Sequence, residues 1–81
     1  LRPHEEKGYF QLANIYYSER TYKNRKKELI EASRQIENAI QLSPDNVDYR
    51  SFAIEIYTAL GDEENANRHR VRIQKISGPE K

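Results

Sequence analysis

The joint that decides the fold lies in residues 38–61, NAIQLSPDNVDYRSFAIEIYTALG. Pro44 cannot continue helical hydrogen bonding and disfavours the helical region for the residue before it, so one helix must end there. Asp45 or Asn46 can then cap a second helix by accepting a bond from an unpaired N–H. Gly61 can adopt the left-handed conformation that ends that second helix. The stretch therefore predicts two helices joined by a short polar turn.

Helical periodicity continues on both sides of this joint. The first helix is predicted from about Pro3 to Thr21, and the second from Asn24 or Lys26 to Leu42. The third ends at Gly61, and a fourth begins after a cap at Asp62. No segment alternates with period two, so the sequence predicts an all-α chain of four helices. The apolar positions at spacings of three and four are Tyr9, Leu12, Ala13, Tyr16 and Tyr17; then Leu29, Ala32, Ile36, Ala39 and Ile40; then Tyr49, Ala53, Ile56, Tyr57 and Leu60; then Ala66, Val71, Ile73 and Ile76.

The size of the chain limits it to one domain, residues 1–81, in a range where a single core is only marginally stable. There is no cysteine, so neither a disulfide framework nor a Cys-based zinc site can add stability, and the redox compartment stays undetermined. Because the sequence begins at Leu1 and contains no methionine, we expect it to be a segment of a longer protein.

Charge and motifs exclude several classes of function. The net charge of +1 argues against a surface devoted to nucleic acid, and no apolar run approaches the roughly 18 residues of a membrane span. His4 and His69 lack a second ligand at metal-binding spacing, so surface or packing roles are expected. There is no nucleophile beside a base, no Gly-rich phosphate loop and no apolar carboxylate pair. The sequence predicts a non-enzymatic protein without a metal, a cofactor or a transmembrane segment.

The chain also aligns with itself at a spacing of 40 residues. Such self-similarity predicts two antiparallel helical hairpins in tandem, the first over about residues 7–46 and the second over about 47–77. The aligned pairs are Tyr9 with Tyr49, Leu12 with Phe52, Ala13 with Ala53, Tyr17 with Tyr57, and Ser18 with Thr58.

Over about residues 7–77 this pattern resembles the tetratricopeptide repeat family. In that family a proline closes one repeat, as Pro44 does here, and a tyrosine stands four residues before a Gly-Asp turn, as Tyr57 does before Gly61. Ala32 and Ala66 match the small packing residues of the second helices. The resemblance implies an α-solenoid that binds a peptide or a helix of a partner protein along a concave groove.

The sequence departs from the family pattern in two places. About seven extra residues between Tyr22 and Ala32 predict longer first and second helices with a protruding basic tip. In the third helix, the ungapped family alignment places Arg50 and Ile54 at small or apolar positions, whereas the 40-residue self-alignment places Tyr49 and Ala53 there. We follow the ungapped alignment because it needs no insertion in the joint.

The resemblance also implies which residues line the groove, since the first helix of each repeat faces it. An alternative is that Phe10 and Phe52 only pack against neighbouring helices, and a rotation of the third helix would present Arg50, Ile54 and Tyr57 instead. The expected partner-binding residues are Phe10, Gln11, Asn14, Tyr17 and Ser18 from the first helix, and Asp48, Ser51, Phe52 and Glu55 from the third.

Two repeats are fewer than the three that a solenoid usually needs. We therefore expect either self-association through the fourth or the first helix, which would make the chain an oligomerisation element, or a position at the end of a longer array. The basic tip, residues 23–27, and a row of arginines on the fourth helix could contact nucleic acid or anionic lipid. Such runs are more often solvated faces, so nucleic acid is not the expected partner.

Overall fold

A computed structural model describes residues 5–78. This part of the chain contains four α-helices and no strand, which confirms the all-α prediction. The predicted helix start at Pro3, like His4, lies outside the described residues, and the first helix ends two residues before Thr21. The helices are α1 (Glu5–Glu19), α2 (Arg25–Leu42), α3 (Val47–Leu60) and α4 (Glu63–Ser77).

Polar caps begin three of the four helices. The side chains of Asn24 and Asn46 each accept a hydrogen bond of 3.0 Å from the backbone N–H three residues further on. Asp62 does the same for α4 at 3.1 Å. Of the two residues expected to cap α3, the structure therefore uses Asn46 and not Asp45. Gly61 ends α3 with φ of 79°, a conformation that costs glycine little because it has no Cβ.

Consecutive helices pack as antiparallel pairs, α1 with α2, α2 with α3, and α3 with α4. The Cα atoms span 44 × 31 × 14 Å, and the shortest dimension is what two layers of helices 8–10 Å apart require. Side-chain contacts place α1 beside α3 and α2 beside α4. None of these helices within residues 5–78 has the length and apolar content to cross a bilayer.

The core is built around α2, whose predicted apolar stripe is confirmed. Small residues at the crossings let the helices approach closely, and the larger isoleucines fill the space between them. The buried apolar residues are Leu29, Ala32, Ile36, Ala39 and Ile40 from α2, Ala13 from α1, Tyr49, Ala53, Ile56 and Tyr57 from α3, and Ala66 from α4.

The predicted apolar face of α1 is only partly buried. Ala13 is fully enclosed, whereas Tyr9, Tyr16 and Tyr17 are half-buried and Leu12 is 41% exposed. The reason is that no other helix of residues 5–78 covers the side of α1 that faces away from α3.

The inward face of α4 differs from its predicted apolar stripe. Val71 is 51% exposed, and Ile73 and Ile76 are half-buried, whereas His69 is completely buried next to the predicted Ala66. A polar residue takes the inside position because α2 and α3 offer its ring hydrogen-bond partners.

The observed rotation of α3 differs from the one that the ungapped family alignment predicts. Ala53 is fully enclosed and Tyr49 is nearly so, while Ile54 is only half-buried. The core-facing positions are therefore those of the 40-residue self-alignment. Arg50 is also buried, but its guanidinium lies among polar groups and not in the apolar core.

The basic connection between α1 and α2 does not protrude as predicted. Its cations are exposed, but Arg25 and Lys26 border a surface depression together with Ala59 and Leu60 at the end of α3. Leu29, in the second turn of α2, is 1% exposed. The beginning of α2 thus packs on α3 and does not extend beyond the body.

Candidate functional site

Aromatic side chains join α1 to α3. The ring of Phe10 lies 5.0 Å from that of Tyr49 and 5.8 Å from that of Phe52, measured between centroids. Tyr17 meets Phe52 edge to face at 5.2 Å. These distances are those of favourable aromatic pairs, so the rings hold the two helices side by side.

An open depression of about 650 Å³ lies along this contact. We call it the α1–α3 groove. Its lining combines apolar and aromatic surface with several amides, one ammonium and one carboxylate. The lining residues are Lys7, Phe10, Gln11, Asn14, Ile15, Asn46, Asp48 and Tyr49.

Hydrogen bonds fix the polar side chains around the groove. The Tyr49 hydroxyl donates to Glu6 Oε2 at 3.2 Å, and burial together with this bond raises the pKa of Tyr49. Asn14 Nδ2 donates to the Phe10 carbonyl at 3.1 Å, and within residues 5–78 the Asn14 Oδ1 atom has no donor, so it can accept a bond from a ligand. The Oδ1 atom of Asn46 is occupied by the Tyr49 N–H.

The structure brings some of the predicted partner-binding residues to this groove and leaves others outside it. Phe10, Gln11 and Asn14 line it, as expected. Tyr17 and Phe52 pack on each other beyond the lining, and the Arg20 guanidinium lies 3.7 Å from the centre of the Tyr17 ring. The half-buried Tyr17 ring is therefore held between Phe52 and Arg20 within the protein.

Of the other partner-binding residues predicted on α3, only one lines the groove. Ser51 and Glu55 are exposed but do not line the groove, while Asp48 does. Arg50 and Tyr57, which the alternative rotation would present there, are buried under α4. The alternative expectation for Phe10 and Phe52 is packing against neighbouring helices, and both rings do this because they contact each other between α1 and α3.

Sequence reasoning missed four lining residues: Lys7, Ile15, Asn46 and Tyr49. A signal for two of them was present, because Lys7 and Ile15 stand four residues before and after Gln11 and share its helix face. Tyr49 was assigned to the core alone, although its ring serves both the core and the groove. Asn46 was expected only as a helix cap.

A second cluster, on the α4 side, is polar and centred on Glu37 of α2. Its Oε2 atom accepts a hydrogen bond of 2.7 Å from the Tyr57 hydroxyl. The same atom accepts bonds of 2.8 Å from Arg68 Nη2 and 3.0 Å from His69 Nε2. Arg50 completes the cluster through His69. We call these five residues the Glu37 network.

The geometry fixes the tautomer of His69. Arg50 Nη1 lies 3.0 Å from His69 Nδ1, and because a guanidinium can only donate, Nδ1 must accept. The ring proton is therefore on Nε2, from which it is donated to Glu37. The imidazole also stacks on Tyr57 with a centroid distance of 5.9 Å and an angle of 14°. Of the two roles expected for His69, the structure shows the packed one.

The Glu37 network keeps its carboxylate charged. Burial alone would raise the pKa of Glu37, but the hydrogen bonds from His69, Tyr57 and Arg68 outweigh it and lower the pKa to about 2. Burial and the bond to Glu37 raise the pKa of Tyr57. The only sequence signal for this network was Arg50, a charged residue at a position where the family alignment expected an apolar or small one.

Within residues 5–78 no group of three or more His, Cys, Asp or Glu side chains could hold a metal ion. No protein-family model, curated protein or solved structure gives a significant match to the chain. The α1–α3 groove and the Glu37 network are therefore the observations from which a function can be inferred.

Proposed function

We propose that this chain is a non-enzymatic interaction module of the tetratricopeptide type, which holds a peptide or a helix of a partner protein in the α1–α3 groove. The observation that carries the proposal is the groove itself, about 650 Å³ of open space between two helices. Pre-formed clefts with a mainly apolar lining and a few fixed polar groups are typical binding sites.

The composition of the lining supports a peptide ligand. Phe10, Tyr49 and Ile15 offer aromatic and aliphatic surface for an apolar anchor. Gln11 and Asn14 at the edge can bond the backbone amides of a bound segment. An ammonium and an exposed carboxylate at the borders, Lys7 and Asp48, suit orientation of a ligand better than proton transfer.

The test is a titration with short amphipathic peptides that carry leucine or phenylalanine at i, i+3 and i+7, the spacing of helix-in-groove ligands. Calorimetry measures the affinity of each peptide for the wild-type chain. We expect saturable binding of at least one peptide, and a peptide set without any saturable binder would contradict the proposal.

A matched pair of variants locates the binding. Ile15 lines the groove and is 51% exposed, so Ile15→Glu puts a charge at an apolar contact without disturbing the core. Ile30 on α2 is 37% exposed and lies outside the groove, which makes Ile30→Glu the control. We expect at least about tenfold weaker binding for Ile15→Glu and little change for the control. Equal losses would mean that the peptide does not occupy the groove.

A second candidate function, self-association, is favoured by the exposure of Leu12. This residue is 41% exposed on the side of α1 turned away from the groove, with Tyr16 one turn further along the same face. A second copy could cover this face. Sedimentation at several concentrations tests it, and Leu12→Glu should then abolish the concentration dependence. A monomer at all concentrations with one cooperative thermal transition would rule this candidate out.

A further inference from the structure

A second depression, of about 500 Å³, lies between α3 and α4, and its lining differs from that of the α1–α3 groove. Four of its five lining residues are cations, and the fifth is an exposed valine. We call it the arginine pocket. The lining residues are Arg50, Arg68, Val71, Arg72 and Lys75.

Arg50 forms the fixed part of this pocket. It is 7% exposed, its Nε–H donates to the Pro44 carbonyl at 2.8 Å, and Nη1 donates to His69 at 3.0 Å. These bonds leave the other terminal nitrogen, Nη2, without an acceptor in residues 5–78. Neither acceptor is a carboxylate. Burial, Arg72 and Arg68 lower the pKa of Arg50, and the more distant Glu37 and Asp45 oppose this only in part, so the guanidinium lacks a directly bonded anion.

The carboxylates near the pocket do not neutralise it. Glu37 is already bonded to Arg68, His69 and Tyr57. Asp45, which is mostly exposed, lies 3.9 Å from Arg72, the distance of a weak surface pair. The positive charge of Arg50, Arg72 and Lys75 therefore exceeds the negative charge near them in the described part of the chain.

We propose that the arginine pocket binds a phosphomonoester dianion. A rigid guanidinium at the base and two exposed cations at the rim match the several acceptor oxygens and double charge of such a group. The side chains of Arg72 and Lys75 are long and exposed, so they can close over the bound anion. The exposed Val71 offers an apolar contact for whatever carries the phosphate.

The features of the chain favour one compact anion over a polyanion. The excess cations converge on a single depression, and the net charge of the whole chain is only +1. A nucleic acid would instead need a track of cations spaced along its backbone. The phosphate could be free or attached to a phosphoserine side chain, since both present the same tetrahedral dianion.

The first test follows amide shifts and binding heat during titration with inorganic phosphate and, separately, with a phosphoserine peptide and its unphosphorylated form. We expect saturable shifts confined to α4 and the beginning of α3. Tighter binding of the phosphopeptide than of phosphate supports a protein carrier, and equal binding supports free phosphate. Either result supports the pocket. Equal binding of the two peptide forms would overturn the proposal.

Charge-matched variants make the test specific. Arg72→Gln and Lys75→Gln each remove one exposed rim cation, and we expect about tenfold weaker phosphate binding for each. Arg70→Gln removes an equally charged residue of α4 that pairs with Glu63 and Asn67 outside the pocket, and it should change binding less than about twofold. Equal effects of all three variants would mean that phosphate is attracted only by the diffuse positive charge of α4.

Arg50→Met removes the base of the pocket and should abolish saturable phosphate binding. Because Arg50 also bonds Pro44, circular dichroism must first show that the variant is folded, and the two rim variants remain decisive if it is not. The last ligand to be titrated is a short single-stranded RNA. Much tighter binding of RNA than of the phosphopeptide, with a steep dependence on salt, would replace the phosphomonoester with a polyanion.

Discussion

Beyond the apolar core that they share, the two outer helices contact the central α2–α3 pair through different chemistry. At the α1 edge, Phe10 and Tyr17 contact the rings of Tyr49 and Phe52. At the α4 edge, His69 and its neighbours bond a single carboxylate, Glu37. Each attachment also determines which surface remains open beside it.

This difference suggests how one simple architecture can offer two kinds of surface. Ring packing covers only part of the apolar surface where α1 meets α3, and the mainly apolar α1–α3 groove remains open beside it. Hydrogen bonding to Glu37 uses that carboxylate for Arg68, His69 and Tyr57, so Arg50 and Lys75 of the arginine pocket have no carboxylate partner within residues 5–78. The α1 edge is thus suited to apolar ligands and the α4 edge to anions.

The largest expected effect is at the α4 edge. Glu37→Ala leaves the Tyr57 hydroxyl, Arg68 and the Nε2 proton of His69 without their acceptor. We expect a loss of about 3 kcal/mol in the free energy of unfolding, because the buried Nε2–H of His69 and the Tyr57 hydroxyl lose their acceptor, whereas the half-exposed Arg68 returns to water. Urea denaturation followed by circular dichroism measures it.

The control is Glu31→Ala, which removes a carboxylate from an exposed i, i+3 pair with Arg34 on the same helix. It should change the free energy of unfolding by no more than about 0.5 kcal/mol. Similar losses in both variants would show that the Glu37 network contributes no more than a surface ion pair.

Acid should weaken the α4 edge selectively. The pKa of Glu37 in the folded chain is about 2, below its unfolded value of 4.5, so its contribution is fully present above pH 4.5 and is lost as the pH falls towards 2. The difference between these two pKa values corresponds to about 3 kcal/mol. The difference in free energy of unfolding between wild type and Glu37→Ala, measured by denaturation from pH 7 to pH 2, should decrease by about this amount as the pH falls. A gap that stays constant over this range would contradict the assigned hydrogen bonds.

At the α1 edge the corresponding substitution is Phe10→Ala. Removing this half-buried ring deletes its contacts with Tyr49 and Phe52, and we expect a loss of about 2 kcal/mol. Because no charge is involved, this loss should be the same at pH 7 and pH 3 in urea denaturation. A loss that varied with pH in the manner of Glu37→Ala would remove the distinction between the edges.

The smallest effect concerns α3, the platform that both edges share. Asn46→Ala deletes the side-chain cap that accepts the Tyr49 N–H, at an expected cost of about 1 kcal/mol. Hydrogen exchange should show weaker protection throughout the first turn of α3. Loss of protection confined to α1 would mean that Asn46 supports the groove and not α3 itself.

Local features of the sequence predicted the helices well because their causes are local. Pro44, the cap positions and Gly61 act within a few residues, so the number of helices and nearly all of their ends could be inferred. The apolar spacing and the self-alignment favour the observed rotation of α3, whereas the family alignment favours another, and only packing against α2 and α4 decides between the two.

The sites depend even more on contacts between distant residues. Glu37 and His69 stand 32 positions apart, and nothing in their surroundings shows that α2 and α4 become neighbours. Three of the eight lining residues of the groove could be predicted because Phe10, Gln11 and Asn14 share one helix face, and a fourth, Asp48, was expected from α3. The apolar spacing of Tyr49 predicts only a core position, although its ring also lines the groove.

The most direct test of these separate edges is one amide-resolved NMR titration of a single labelled sample, first with an amphipathic peptide and then with phosphate. We predict that the peptide shifts the amide resonances of Phe10, Asn14 and Tyr49 without affecting that of Arg72. Phosphate should shift Arg72 without affecting Phe10 or Asn14. Peptide shifts centred on Arg72, or shifts spread evenly over all four helices, would contradict a peptide-binding groove between α1 and α3.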